Sequence, residues 1–203
     1  MMMSGTSSAP QSVMILVLFI YLTGSLGSNL RAGEQRIIRC RDAERSTLLK
    51  IKEEIYDDEE HGLMSWGKEE GKRECCEWVG VRCDNKSGHV ITLDLSPPTF
   101  ERDSKRVWPS AVNISSSLAH LHYLNYLDLS GVYFYGDSPI PSFIGSLSSL
   151  RYLNLSHTSI NGEIPPQLGS LSSLEFLDLS YNFDLNIKNL GYWLSNLSSL
   201  RLL

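Results

Sequence analysis

Leu121-x-x-Leu124-x-x-Leu127-x-Leu129 recurs as Leu147-x-x-Leu150-x-x-Leu153-x-Leu155 and again as Leu171-x-x-Leu174-x-x-Leu177-x-Leu179. A further copy begins at Leu197-x-x-Leu200-x-x-Leu203. Successive copies start 26, 24 and 26 residues apart, so the chain is a stack of like units before it is anything else. The Leu-x-Leu end of each copy alternates as a short strand does, which turns both leucines to one side and the residue between them to the other. Units that can bury their leucines only against one another must line up as a parallel sheet, and such an array needs caps at its ends. An earlier strand, Ile91-Thr92-Leu93-Asp94-Leu95, opens the array, and an insertion around Pro97 to Pro109 separates it from the next.

Where the chain leaves each strand, buried amides and carbonyls need partners, and an asparagine at the third position past the second leucine supplies both a donor and an acceptor. That column reads Val132, Thr158 and Asn182. Thr158 can still donate through its hydroxyl, whereas Val132 cannot, so a looser or water-filled turn is expected in its unit. Two units continue with Ile140-Pro141 and Gly162-Glu163-Ile164-Pro165. Proline lacks a donor and ends pairing on the outer side. These periods are those of leucine-rich repeats and far from helical-repeat periods. The expected fold is an α/β solenoid, a right-handed superhelix of about five repeats over residues 89–203, the last incomplete, with a concave sheet open to solvent.

Upstream, Val13 to Thr23 is apolar but too short to span a bilayer, and Ser25-Leu26-Gly27 follows with small residues. Residues 1–28 read as a signal peptide, although Met1 to Ser12 holds no Lys or Arg. After Thr23 no comparable apolar run occurs, so no transmembrane segment is expected apart from that peptide. Net charge is −5 and the first 28 residues carry no charged side chain, which disfavours nucleic acid as a partner.

An oxidising compartment makes the four cysteines, Cys40, Cys75, Cys76 and Cys83, an expected pair of disulfides. Adjacent cysteines rarely bond, which leaves Cys40–Cys75 with Cys76–Cys83, or Cys40–Cys76 with Cys75–Cys83. No Cys-x-x-Cys exists and His61 and His89 lack ligand spacing, so no metal is expected, nor any cofactor. Secretion also makes the sequons at Asn85, Asn113, Asn154 and Asn196 candidate glycosylation sites.

Residues 38–84 form the expected N-terminal cap. Asp42 can cap a helix that puts Leu48, Ile51 and Ile55 on one face, ready to cover the open edge of the first repeat. Trp66 and Trp78 read as apolar bulk inside this cap, and Asp57-Asp58-Glu59-Glu60 as a solvated loop. The order Cys40, Glu44-Arg45-x-x-Leu48-Leu49-x-Ile51-Lys52, Leu63-x-Ser65-Trp66, Cys75-Cys76-x-Trp78-x-Gly80-Val81-x-Cys83-Asp84 and Gly88-His89-Val90 closely resembles the plant leucine-rich-repeat N-terminal domain. With Leu124–Ser130, Ile140–Leu147 and Asn189–Ser195, the resemblance narrows to plant receptor-like proteins of the fungal ethylene-inducing xylanase receptor type and covers about residues 38–203. It implies Cys40–Cys75 and Cys76–Cys83 as the bonded pairs. It also implies a secreted or cell-surface recognition module in defence, binding a protein or peptide ligand or a receptor-kinase co-receptor, within a longer protein that has more repeats and a membrane anchor.

Leu203 falls inside a strand of a repeat, so the sequence reads as a fragment, a truncated product or an incomplete gene model, and a non-functional truncated receptor is one reading of it. A second is a secreted inhibitor of a pathogen cell-wall-degrading enzyme, similar to the polygalacturonase-inhibiting proteins. Catalysis is disfavoured: His89, His120, His122 and His157 lack a paired nucleophile or carboxylate constellation, and no phosphate-binding glycine loop exists. On the concave face the columns Tyr126/Tyr152/Phe176, Asp128/Asn154/Asp178 and Ser130/Ser156/Ser180 are nearly uniform and read as architecture. The more variable Arg151, Glu175 and Arg201, and His157 with Tyr181, are the candidate ligand contacts.

Overall fold

The computed structural model describes residues 39–56, 63–97, 109–186 and 190–201. All of these lie in one compact unit, Ile38–Leu203. The signal peptide, the acidic run 57–60 and most of the insertion after Pro97 fall outside the described residues. Among the described residues no helix is long and apolar enough to cross a membrane.

The leucine pattern is answered by a five-stranded sheet in the order β2 (Val81–Cys83), β3 (Val90–Asp94), β5 (Tyr126–Asp128), β7 (Tyr152–Asn154) and β9 (Phe176–Asp178). From β3 onward the strands are parallel and in register, with Leu93, Leu127, Leu153 and Leu177 forming one row. Leu93, Leu127 and Leu153 have no exposed surface, and Leu121, Leu124, Leu147, Leu150, Leu171 and Leu174 pack behind them. Each unit returns to the next strand through a short 3-10 helix, as at Ser142–Ser146 and Pro166–Ser170. Beside the inner sheet run β4 (Ser110–Ala111) and β6 (Tyr133–Phe134), and further along β8 (Gly162–Glu163) and β10 (Leu185–Asn186), as short parallel pairs.

The turn column shows how buried polar groups are partnered. Asn182 is buried, and its Nδ2 donates to the carbonyls of Leu155 at 2.7 Å, Leu179 at 3.0 Å and Ser180 at 3.2 Å. Its Oδ1 accepts from the Thr158 N–H, the Ile160 N–H and the Thr158 hydroxyl at 3.2, 3.2 and 3.0 Å. One side chain thereby ties two repeats together. At Val132 the expected loose turn is not found: the valine is buried in the core, its N–H donates to Leu129, and Phe134 N–H donates to the Thr158 carbonyl of the next unit. Apolar packing closes that turn, and backbone groups carry its hydrogen bonds.

The open edge of the array is covered by helix α1 (Asp42–Glu54), which buries Glu44, Thr47, Leu48 and Ile51, a face spaced at helical intervals. The N-cap position belongs to Arg41, in extended conformation and without a side-chain cap bond; Asp42 lies one residue inside and ion-pairs with Arg45 at 3.1 Å. Asp42 is therefore not the cap. Nor does Ile55 belong to the helical face, because the chain extends there into β1 (Ile55–Tyr56), antiparallel to β4. The disulfides are Cys40–Cys75 and Cys76–Cys83. The close sulfurs of Cys40, Cys75 and Cys76 are consumed in these bonds, so they offer no thiolate ligands to a metal.

Trp66 and Trp78 are buried and stacked with centroids 5.2 Å apart, and their indole N–H groups donate to the Val79 and Lys72 carbonyls. They fill the cap, as its small size requires. The buried Glu44 joins the cap to the array. Its Oε2 accepts the Val90 N–H of β3 at 2.8 Å, and its Oε1 lies 2.9 Å from His89 Nδ1.

Replacing a member of these contacts strands its partners. Asn182→Ala leaves the N–H groups of Thr158 and Ile160 buried without acceptors, so urea unfolding should show a loss of roughly 2–3 kcal/mol; a loss below the scatter of exposed-site controls would refute the bridging role. Glu44→Ala removes the acceptor of the Val90 N–H and should cost about 1–3 kcal/mol, with amide exchange accelerating first along β3.

Candidate functional site

The inner sheet exposes a continuous surface built from the residues between the leucines. Tyr126, Tyr152 and Phe176 occupy adjacent register positions, and their rings stack with centroids 4.1 and 4.4 Å apart and planes within 7° and 4° of parallel. Strand spacing of roughly 4.8 Å places rings on neighbouring strands close to stacking distance, so a shared strand position is enough to align them.

Beside the rings runs the column Asp94, Asp128, Asn154 and Asp178. Asp128 is buried and acts as its hub: Oδ1 accepts the Ser130 N–H at 2.8 Å, while Oδ2 accepts from the Tyr152 hydroxyl and Asn154 Nδ2 at 3.2 Å and from the Tyr126 hydroxyl at 3.4 Å. Asn154 and Asp178 repeat the local motif, their Oδ1 atoms accepting the N–H of Ser156 and Ser180. Burial, then the Tyr152 hydroxyl and the neighbouring Asp128 carboxylate, push the Tyr126 phenol above its ordinary range; burial likewise raises Tyr152. These columns hold the sheet together.

The candidate contacts separate into two groups at opposite ends of the strands. Arg151 and Glu175 immediately precede β7 and β9, and Arg201 takes the same position in the next unit, the backbone linking them as Glu175 N–H to Arg151 O and Arg201 N–H to Glu175 O. Arg151 Nη1 meets Glu175 Oε1 at 2.6 Å, and Arg201 Nη2 approaches Oε2 of the same carboxylate at 3.7 Å. Two largely exposed guanidinium groups thus flank one carboxylate, leaving net positive charge along this rim.

His157 and Tyr181 lie past the other end of the strands, stacked with centroids 4.0 Å apart and exposed. Both have positive φ, 57° and 56°, at the position that Gly131 fills with φ 75° in the preceding unit. Left-handed backbone at a bulky residue costs on the order of 1–3 kcal/mol, so these rings are displayed at the expense of local strain. One contact pair escaped the sequence reading. His89, held from below by Glu44, stacks under the exposed Tyr123 at 3.8 Å, a pairing of residues 34 positions apart that no local spacing announces.

Of the sequons, Asn85, Asn113 and Asn196 are exposed. Asn154 is half-buried in β7, and its Nδ2 already donates to Asp128 and to the Tyr152 hydroxyl.

A capped leucine-rich-repeat solenoid with an open inner sheet defines the class. A family model for the leucine rich repeat N-terminal domain matches residues 41–84, and one for the leucine rich repeat matches 149–171. Receptor-like protein EIX1 of Solanum lycopersicum is 43% identical over 92% of this chain, which spans 17% of that protein's length. Polygalacturonase inhibitor 1 of Oryza sativa subsp. japonica is 33% identical over 64% of this chain and 34% of the inhibitor. The BIR2 ectodomain from Arabidopsis thaliana superposes with a TM-score of 0.61 at 30% identity, over 79% of this chain and 77% of that one. The BIR3–SERK2 complex from Arabidopsis thaliana matches with 0.59 at 28% identity, over 76% of each chain. The chain belongs to the plant leucine-rich-repeat receptor-like proteins.

The raised phenols carry a pH signature. A phenol kept neutral by the fold contributes stability that is intact below its unfolded value, near pH 10, and is lost as pH climbs beyond it. Tyr126→Phe should therefore flatten the decline of Tm between about pH 9 and pH 11; a decline as steep as the parent's would show that Tyr126 is not held neutral.

Proposed function

We propose that this chain forms the N-terminal part of the extracellular recognition module of a plant receptor-like protein in defence signalling, taking a protein or peptide ligand, or a receptor-kinase co-receptor, on its inner sheet. The observation that carries this reading is the geometry of that sheet. A flat, stacked aromatic floor lies between a cationic rim, Arg151–Glu175–Arg201, and a rim of two strained, exposed rings, His157 and Tyr181. Guanidinium groups and aromatic rings are the side chains that most often anchor protein interfaces, and here a packed core fixes their backbone.

The disulfide pairs, which form in an oxidising compartment, support the reading of a secreted or cell-surface module on the extracellular side of the plasma membrane. The identity to EIX1, extending over nearly the whole chain, favours the receptor over the inhibitor reading.

The test is surface-immobilised binding of the secreted chain to two probes, a fungal ethylene-inducing xylanase and the ectodomain of a SERK co-receptor. Arg151→Glu combined with Arg201→Glu should weaken whichever probe binds by roughly 10-fold or more and reduce the salt dependence of its association rate. Binding that is indifferent to these changes and to Tyr181→Ala, or no binding to either probe, would count against the inner sheet as the contact surface.

A further inference from the structure

A second, smaller sheet runs β1–β4–β6, and its two faces differ. One face turns Ile55, Ala111 and Phe134 toward the core. The other aligns Tyr56, Ser110 and Tyr133 across the three strands, with Val112 and Tyr135 following at the ends of β4 and β6. Ser110 is buried between its neighbours, yet Tyr56 is 68% exposed, Val112 59%, Tyr135 53% and Tyr133 43%. Tyr133 and Tyr135 meet edge to face at 4.9 Å. Among the described residues of this face, the phenols are the ionisable groups. The strands β4 and β6 lie within the array, so this is not the bare end of a stack.

A contiguous apolar and aromatic face of this kind calls for a cover. Its chemistry, uncharged rings with hydroxyls at their tips, suits an uncharged partner that offers both C–H faces and hydroxyl groups, which is the character of a sugar ring. An attachment point for such a partner stands beside it: Asn113, the acceptor of the sequon Asn113-Ile114-Ser115, is exposed and follows Val112 directly. Asn85 lies instead in the turn between β2 and β3, and Asn196 follows the short helix Leu190–Leu194.

We propose that the N-linked glycan of Asn113 packs over this outer face, its first sugars lying against Val112, Tyr135 and Tyr133. The glycan covers the apolar sheet, and the protein in return fixes the glycan's direction. Asn113 is then a structural modification site, unlike a solubilising one that projects into water. The inference rests on the secreted reading given above.

The test uses the full chain secreted from a glycosylating host. Glycopeptide mass spectrometry should find Asn113 occupied. Asn113→Gln should lower Tm by roughly 2–4 °C and increase binding of a hydrophobic dye, whereas Asn85→Gln and Asn196→Gln leave both near the parent values. In the Tyr133→Ser, Tyr135→Ser background the Asn113→Gln shift should vanish, because the glycan has lost its platform. Occupied Asn85 and Asn196 beside an empty Asn113 would overturn the proposal, as would an Asn113→Gln shift equal to the controls or one that persists without the tyrosines. Glycan at no sequon would bring down the secreted reading itself and this inference with it.

Discussion

Leu93, Leu127 and Leu153 of the inner row are buried because neighbouring coils stand beside them, and no coil could bury its own; Leu177, further along the row, is only partly buried. Leu127 has Leu93 on one side and Leu153 on the other, and all three are sealed from water. Stability therefore accumulates interface by interface, and a fault in one coil is felt mainly by the two that touch it. The same constraint governs polar groups, since closing a coil against its neighbour buries amides at the turn that water can no longer reach. Asn182 meets that demand for two coils at once, serving Leu155 and Thr158 in the preceding unit and Leu179 in its own. Where the column holds Val132, packing replaces the polar bridge and backbone groups find one another.

A stack that must be covered at its first coil explains the composition of the cap. Helix α1 is short and buries few large side chains, so apolar area alone holds it weakly; two disulfides, a stacked tryptophan pair and several side-chain to backbone bonds make up the difference. Glu74 accepts the N–H of Cys40 and of Cys76, tying both bridges to one carboxylate. Lys52 reaches from the helix to the carbonyls of Leu63 and Trp66. Glu44 does what no disulfide here does, linking helix to sheet through the Val90 amide. The cap is thus connected internally by covalent bonds and to the solenoid by packing and hydrogen bonds.

The solenoid was legible from the leucine columns because burial of a repeated face forces a repeated residue type. The disulfide pairs followed from the family pattern, which geometry alone had left at two alternatives. What escaped the sequence depended on atoms far apart in the chain. Asp42 resembled a helix cap, yet the extended residue turned out to be Arg41, a difference of one position that backbone angles decide. Ile55 fits the helical period but lies where β4 offers an edge, and strand pairing won. The hub at Asp128 draws on residues from two units, and the clasp between Glu44 and His89 spans 45 positions; neither has a local signature.

The candidate contacts also sort themselves by what their removal would disturb. Tyr152 cannot be altered for recognition without taking a donor from buried Asp128, so the aromatic floor is constrained and uniform. His157 and Tyr181 occupy a backbone position better served by glycine, as Gly131 shows in the preceding unit. Their rings stack on each other with centroids 4.0 Å apart, a contact within the fold that offsets part of the local cost. In the proposed recognition role, contact with another molecule would offset the rest, and the rim guanidinium groups, exposed and shared around a single carboxylate, stand apart from the ladder they border.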